Sequence, residues 1–153
     1  MNNNSQKSGF KGYCTHQPFG GMRIPVPGQN AVMRDYARRQ GLEFKLSVNE
    51  LNFPYCYLML DVLLDQMTDL EGFIITSLFM LPNSKSARRD IFQSILDHDC
   101  SLHIVFENLV VSDGTSWAAA EDIILVAHTA KSCPKNIPAN LLPLIPGFRS
   151  FTN

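Results

Sequence analysis

The chain has 153 residues, of which 45% are hydrophobic and 18% charged, and its formal net charge is -1. A chain of this length can bury a core of its own without disulfides or a structural metal. The near-neutral charge provides no overall attraction to nucleic acid or to an anionic membrane, so we expect neither as a partner. The low charge content is compatible with an interface that replaces polar surface, and we expect a homo-oligomer.

The cysteines and the amino-terminal residues predict the compartment. Four cysteines are widely spaced, and no close pair resembles a metal site or a redox motif. Most lie in apolar runs, which predicts reduced, buried thiols. The first residues, MNNNSQKSG, lack the apolar core of a signal peptide, and no run approaches the roughly 18 apolar residues of a membrane span. We expect a cytoplasmic protein that is not inserted into a membrane and holds neither metal nor cofactor.

Strand and helix patterns alternate along the chain. The predicted elements are a strand at 10–15, a helix at 29–40, a strand at 42–48, a helix at 54–67, a strand at 72–79, a helix at 84–97, a strand at 101–107 and a helix at 116–131. Within the last helix, DIILVAH could instead form a strand. The alternation of strand and helix predicts a parallel sheet with right-handed crossovers.

The second and third strands along the chain differ in pattern, and this difference predicts the order of strands in the sheet. The second strand alternates apolar and polar residues, as at a sheet edge, whereas the third is almost continuously apolar, as in a sheet centre. We predict a single α/β domain over 10–132, with a doubly wound parallel sheet in the order 2-1-3-4 and helices on both faces. We expect residues 1–9 to be a disordered lead-in. The proline-rich tail, 133–153, is expected to pack on the body or on a partner subunit.

The connection Thr15–Gly28 is the most unusual segment of the sequence. Ordinary strand-to-helix connections take roughly 2–6 residues, and longer ones are usually functional or disordered. Three prolines, Pro18, Pro25 and Pro27, stiffen this one. In a doubly wound sheet, ligands bind beyond the carboxyl ends of strands 1 and 3, where this loop and 79–86 would meet. The sequence therefore predicts a ligand crevice between these two loops.

Several residues of this region have side chains or backbone suited to an anion. Gly20-Gly21 could turn its amides toward a ligand, and arginine provides a fork for phosphate or carboxylate. For each arginine an ordinary exposed side chain is the alternative, and for Ser77 it is a place in the core. The predicted binding residues are Thr15, Arg23, Gln29, Asn30, Arg34, Ser77 and Arg88.

Two residues are candidates for proton transfer if the protein is catalytic. His16 directly follows the first strand, and Glu50 follows the edge strand, so both are expected near the carboxyl edge of the sheet. A solvated loop histidine is the alternative for His16. No spacing typical of metal ligands is present.

The segments GYCTHQPFGGMRIPVPGQNAVMRDY, LEFKLSVNE, SLFMLPNSKSAR and LHIVFENL resemble the sporadic carbohydrate cluster family of bacterial proteins. The resemblance runs from about Gly12 to Val111. It implies a role in building surface polysaccharide or lipopolysaccharide of the O-antigen type, without implying a reaction. One departure is that His16-Gln17 stands where members commonly have Ser-Arg, which weakens any serine-dependent chemistry.

The order of elements also resembles, more faintly, the catalytic domain of serine recombinases. This resemblance implies the same 2-1-3-4 sheet. The loop CTHQPF lacks the arginine and the nucleophilic serine that DNA cleavage would use, so the resemblance does not imply that activity.

The sequence predicts one function and leaves two alternatives open. The first is a component of bacterial surface carbohydrate biosynthesis that binds an anionic sugar or sugar phosphate, with catalysis left open. The second is a non-catalytic accessory subunit of a sugar-pathway enzyme. The third is a DNA-binding relative of serine recombinases that lacks the nucleophile.

Overall fold

The computed structural model describes residues 6–136, 140–141 and 144. The order of elements is β1 (Phe10–Cys14), α1 (Val26–Gln40), β2 (Val48–Asn49), α2 (Leu58–Asp65), β3 (Gly72–Ile75), a short 3-10 helix (Leu78–Met80), α3 (Lys85–Asp97), β4 (Ser101–Ile104), β5 (Leu109–Val111) and α4 (Gly114–Ser132). Most of the predicted tail and the first five residues of the predicted lead-in lie outside the described residues. Residues 6–9 of that lead-in are described, and there the backbone N–H of Ser8 donates to the carbonyl of Asp69 at 3.0 Å.

The five strands form one sheet in the order β2-β1-β3-β4-β5. The first four are parallel and follow the predicted order, so the α/β class is confirmed. The prediction of a wholly parallel, four-stranded sheet is wrong, because a fifth strand, β5, pairs antiparallel with β4. A short turn that ends at Asn108, with φ 49°, returns the chain beside β4. Asparagine tolerates this left-handed conformation better than most residues.

Helices cover both faces of the sheet. On one face α1 packs alone: Phe10, Cys14 and Ile74 of the strands contact Met33 and Tyr36 of the helix. On the other face the apolar stripes of α2, α3 and α4 form one larger cluster around the central strands. Burial of these two apolar layers is the main stabilising contribution to the fold.

The helices begin and end where local conformation requires it. Helix α1 begins before the predicted position because Pro27 fits the first helical turn, and it ends at Gly41, whose φ is 68°. Helix α2 begins later than predicted because Tyr55, with φ 58°, interrupts a helical path from Pro54. The DIILVAH segment is helical within α4, whose start is capped by Asp113.

No helix in the described part of the chain combines the length and apolar character needed to cross a membrane.

Candidate functional site

A cavity of about 600 Å³ opens at the carboxyl ends of β1 and β3; we call it the edge cavity. The two loops that were expected to bound a crevice both line it, together with the turn before α2 and the last turns of α4. Its lining residues are Thr15, Gln17, Pro18, Phe19, Gly20, Gly21, Pro54, Tyr55, Cys56, Tyr57, Phe79, Met80, Leu81, Asn83, Ala127, His128 and Lys131.

The glycine pair of the β1–α1 loop forms a tight hairpin at the wall of the edge cavity. Phe19 and Met22 exchange two backbone hydrogen bonds of 2.9 Å. Gly20 and Gly21 have φ of 56° and 77°, and positive φ at both central residues is what a type I′ turn requires. A Cβ on Gly20 would lie 3.4 Å from the Phe79 ring, so the turn also packs closely on the segment after β3. The amides of Phe19 and Met22 are thus used within the hairpin.

Gln29 fixes the two ends of the same loop. Its side chain is fully buried, its Oε1 accepts from the N–H of Thr15 at 3.0 Å, and its Nε2 donates to the carbonyls of Thr15 and Ile24 at 2.7 Å. These bonds satisfy the buried amide and hold the loop in one conformation. Gln29 therefore holds the loop through backbone hydrogen bonds inside the fold, and it does not line the edge cavity. Asn30 is likewise bonded internally, to the hydroxyl of Ser47.

The structure does not gather the three predicted arginines in the edge cavity. Arg88 is buried, with 4% exposure, and its guanidinium donates two bonds of 2.8 Å to the carboxylate of Glu121. A third nitrogen donates to the carbonyls of Pro82 and Asn83 at 3.0 and 2.7 Å. Arg23 and Arg34 are exposed, and neither lines the cavity. Arg88 thus ties α3 to α4. The binding roles of all three arginines stay predictions.

Glu50 is also used inside the fold. It is 2% exposed, and its carboxylate accepts from the Tyr13 hydroxyl at 3.0 Å and from the N–H groups of Met59 and Leu60 at 3.1 and 3.3 Å. A carboxylate at the first free N–H groups of a helix stabilises that helix. Glu50 therefore caps α2 from a buried position, and its predicted role in proton transfer stays a prediction.

The two other predicted site residues also lie outside the lining. His16 is exposed on the β1–α1 loop. The hydroxyl of Ser77 is buried and donates to Glu107 at 2.7 Å. Thr15 is thus the single predicted site residue among those that line the edge cavity.

The contact between Tyr13 and Glu50 predicts a loss of stability at high pH. Burial, and then the neighbouring Glu50 carboxylate, raise the pKa of Tyr13 far above its ordinary value of about 10. The unfolded chain therefore releases this proton as the pH passes about 10, whereas the folded chain keeps it. The stabilisation is complete below pH 10, and above it the free energy of unfolding should fall by up to about 1.4 kcal/mol per pH unit from this residue.

Urea unfolding from about pH 8 to pH 11 would measure this slope, with Tyr13→Phe as the comparison. The variant should keep a smaller slope, because burial also raises the pKa of Tyr36 and Tyr57. An unchanged slope in the variant would show that Tyr13 does not contribute.

Sequence reasoning missed two of the segments that line the edge cavity. One is the turn with Tyr55, Cys56 and Tyr57, which the sequence pattern predicts to be the start of a helix. The other is the end of α4 with His128 and Lys131. Because the antiparallel β5 precedes α4, this helix ends at the carboxyl edge of the sheet, whereas after a parallel β4 it would end at the opposite edge. Because the fifth strand was not predicted, the sequence did not indicate that Lys131 lies in the edge cavity.

Charges around the edge cavity are unequally distributed. The nearby carboxylates of Glu50, Glu107 and Glu121 accept hydrogen bonds inside the fold. The described lining contains no acidic residue, while Lys131 is exposed and Arg23 is exposed on the adjoining loop. The described lining thus carries the positive charge of Lys131, and the exposed acid Asp61 lies one turn into α2, outside the lining. Among the described residues, no group of three or more His, Cys, Asp or Glu could hold a metal ion.

Comparison with known proteins finds likeness at the level of the fold. No family model matches the sequence, and no curated protein matches it. The N-terminal catalytic domain of TP901-1 integrase is similar, with a TM-score of 0.52 and 12% identity over 79% of this chain and 96% of that one. A resolvase family site-specific recombinase from Streptococcus pneumoniae is also similar, with a TM-score of 0.56 and 11% identity over 80% of this chain and 90% of that one.

These findings confirm the resemblance to the serine recombinase catalytic domain as a resemblance of fold. They give no support to the resemblance to the sporadic carbohydrate cluster family. The expected role in surface carbohydrate, lipopolysaccharide or O-antigen synthesis is wrong, as is the accessory role in such a pathway, because the fold neighbours are recombinase and integrase domains.

The expected partner, an anionic sugar or sugar phosphate, is wrong for the same reason. The expectation that nucleic acid is not a partner is wrong as well. That exclusion rested on net charge, which is a sum over the chain and does not describe one edge of it.

Proposed function

We propose that this chain is a DNA-binding domain with the fold of recombinase catalytic domains, and that it does not cleave DNA by serine chemistry. The observation that carries the proposal is the fold likeness, which spans 79% and 80% of the chain and includes proteins described as an integrase and a site-specific recombinase. A likeness over most of both chains supports a whole domain of this type and not a shared βαβ unit.

The loop after β1 supports the second half of the proposal. It contains no serine, and no arginine precedes Arg23. Its one hydroxyl belongs to Thr15, which is 6% exposed and accepts from the N–H of Gln17 at 3.1 Å. A nucleophilic hydroxyl needs a base to remove its proton, and the described hydrogen bonds of the Thr15 hydroxyl include none to a base.

The charge distribution supports a DNA-facing side at the carboxyl edge of the sheet. Arg23 and Lys131 are exposed there and form no ion pair with the described residues. At the other end of α1, Arg38 and Arg39 are both paired with Asp35, at 2.6 and 2.8 Å. Exposed lysine and arginine side chains release counterions when they meet phosphates, which is the main source of DNA affinity independent of base sequence.

A salt titration of DNA binding tests the proposal. Fluorescence anisotropy would follow a labelled DNA of mixed sequence, offered as a duplex and as its separate strands. We expect binding at low salt, with dissociation constants of about 10⁻⁴–10⁻⁶ M at physiological salt. The double variant Arg23→Ala/Lys131→Ala should bind more weakly, and the slope of log affinity against log salt should be smaller by about two.

The matched control is Arg38→Ala/Arg39→Ala, which removes the same charge from the far end of α1. This control should retain most of the affinity. The absence of binding to either form of DNA at low salt would contradict the proposal. Equal losses in the two double variants would contradict the assignment of the DNA-facing edge.

A further inference from the structure

We infer that the edge cavity receives an unpaired nucleotide of the bound DNA, with its base stacked on Tyr55 and its phosphate beside Lys131. This inference rests on the proposed function and adds the form of nucleic acid that is preferred. Bases inside a duplex are paired and stacked on their neighbours, so a recessed site can take a base only when it is unpaired or extruded.

Tyr55 is the feature that points to stacking. Its side chain is 85% exposed although it lines the cavity, so its ring is available to a ligand. Its φ of 58° places a bulky non-glycine residue in the left-handed region, which costs roughly 1–2 kcal/mol. Strain of this kind persists where the surroundings impose it, and it concentrates at ligand-binding sites.

The remaining lining matches the parts of a nucleotide. Tyr57 and Phe79 are half-buried and add aromatic surface to the walls. Gln17 and Asn83 have amides that can donate to and accept from a base edge. Lys131 supplies a positive charge on the rim, and the described lining contains no carboxylate to repel a phosphate. Aromatic platforms beside cations are how proteins bind single strands without reading their sequence.

The size of the edge cavity is compatible with one nucleotide. At about 600 Å³ it lies within the roughly 300–1,000 Å³ of pockets that hold small molecules. The hairpin at Gly20-Gly21 and the loop ends held by Gln29 keep one wall fixed, so little ordering is required when a ligand enters.

The test compares two forms of one DNA and two aromatic variants. A short labelled oligonucleotide of mixed sequence is offered single-stranded or annealed to its complement, and anisotropy gives both affinities. We expect the single strand to bind more tightly than the duplex. Tyr55→Ala should weaken single-strand binding by about 5- to 150-fold, as the loss of one stacked base does, and Tyr55→Trp should retain the affinity because it keeps an aromatic ring.

Phe53→Ala is the matched control, because Phe53 is 64% exposed in the same segment and does not line the cavity. It should leave single-strand affinity unchanged. Equal affinity for the two forms of DNA, or equal losses in the two alanine variants, would overturn the inference and leave the proposed DNA-binding function in place. No binding of either form would overturn both.

Discussion

Replacement of Arg88 by alanine is expected to destabilise the fold by about 3–5 kcal/mol, the usual cost of removing one partner of a buried ion pair. The Arg88 side chain is 5% exposed and the Glu121 side chain 17%, so water screens the pair little. The variant would leave this carboxylate without its partner, and the carbonyls of Pro82 and Asn83 would lose a donor. Because the bonds join α3 to α4 and to the segment after β3, their loss affects one whole face of the sheet.

Urea unfolding followed by circular dichroism would measure the effect. Arg89→Ala is the control, since the neighbouring side chain is 67% exposed and its contact with Asp90 is 3.7 Å long. The control should leave the unfolding midpoint nearly unchanged. A stable Arg88→Ala protein with impaired binding would instead favour the ligand-binding role expected from the sequence.

The second large effect is expected from Glu50→Ala, which should cost about 3 kcal/mol or more. The substitution leaves the buried Tyr13 hydroxyl and the N–H groups of Met59 and Leu60 without their acceptor. A buried donor that loses its acceptor costs about 1–3 kcal/mol. Two of these donors, the Tyr13 hydroxyl and the Leu60 N–H, are buried, and the N–H groups of Met59 and Leu51 are partly buried. Thermal or urea unfolding would measure the loss.

Two further variants separate the causes of this effect. Glu50→Gln retains one acceptor oxygen in the same shape and should lose less than the alanine variant. Asp61→Ala removes an exposed acid from the first turn of α2, so it tests the charge near the helix start without disturbing the buried cap. If Asp61→Ala were as costly as Glu50→Ala, helix electrostatics and not the buried hydrogen bonds would account for the result.

The order of the first four strands could be predicted because burial leaves a pattern in sequence. Alternation in the second strand and a continuous apolar run in the third distinguish edge from centre. Even so, only Val48–Asn49 forms regular strand structure at the edge, with one further bridge between Phe10 and Phe44. The fifth strand is three residues long and follows a four-residue turn, so it has too little periodicity to be recognised.

The position of the candidate site could also be predicted, because loop length and sheet topology are visible in sequence. The roles of its residues could not. Three of the predicted residues are polar and lie near the carboxyl edge of the sheet, as expected: Gln29, Glu50 and Arg88. Each of them is buried and bonded to backbone or to a distant partner. Sequence indicates polarity and not the direction in which a side chain points. Tyr55 was missed for a related reason, since no local pattern indicated its left-handed backbone.

The reversed direction of α4 has a practical consequence for chemical labelling. It places Cys133, an exposed free thiol, directly after the last turn of the helix whose Lys131 lies on the cavity rim. Cys14 and Cys100 are buried, and burial raises the pKa of the Cys14 thiol to about 11, which keeps it protonated at neutral pH. In a Cys56→Ser background, a maleimide dye should therefore attach at one place, and its emission would report ligand entry in real time.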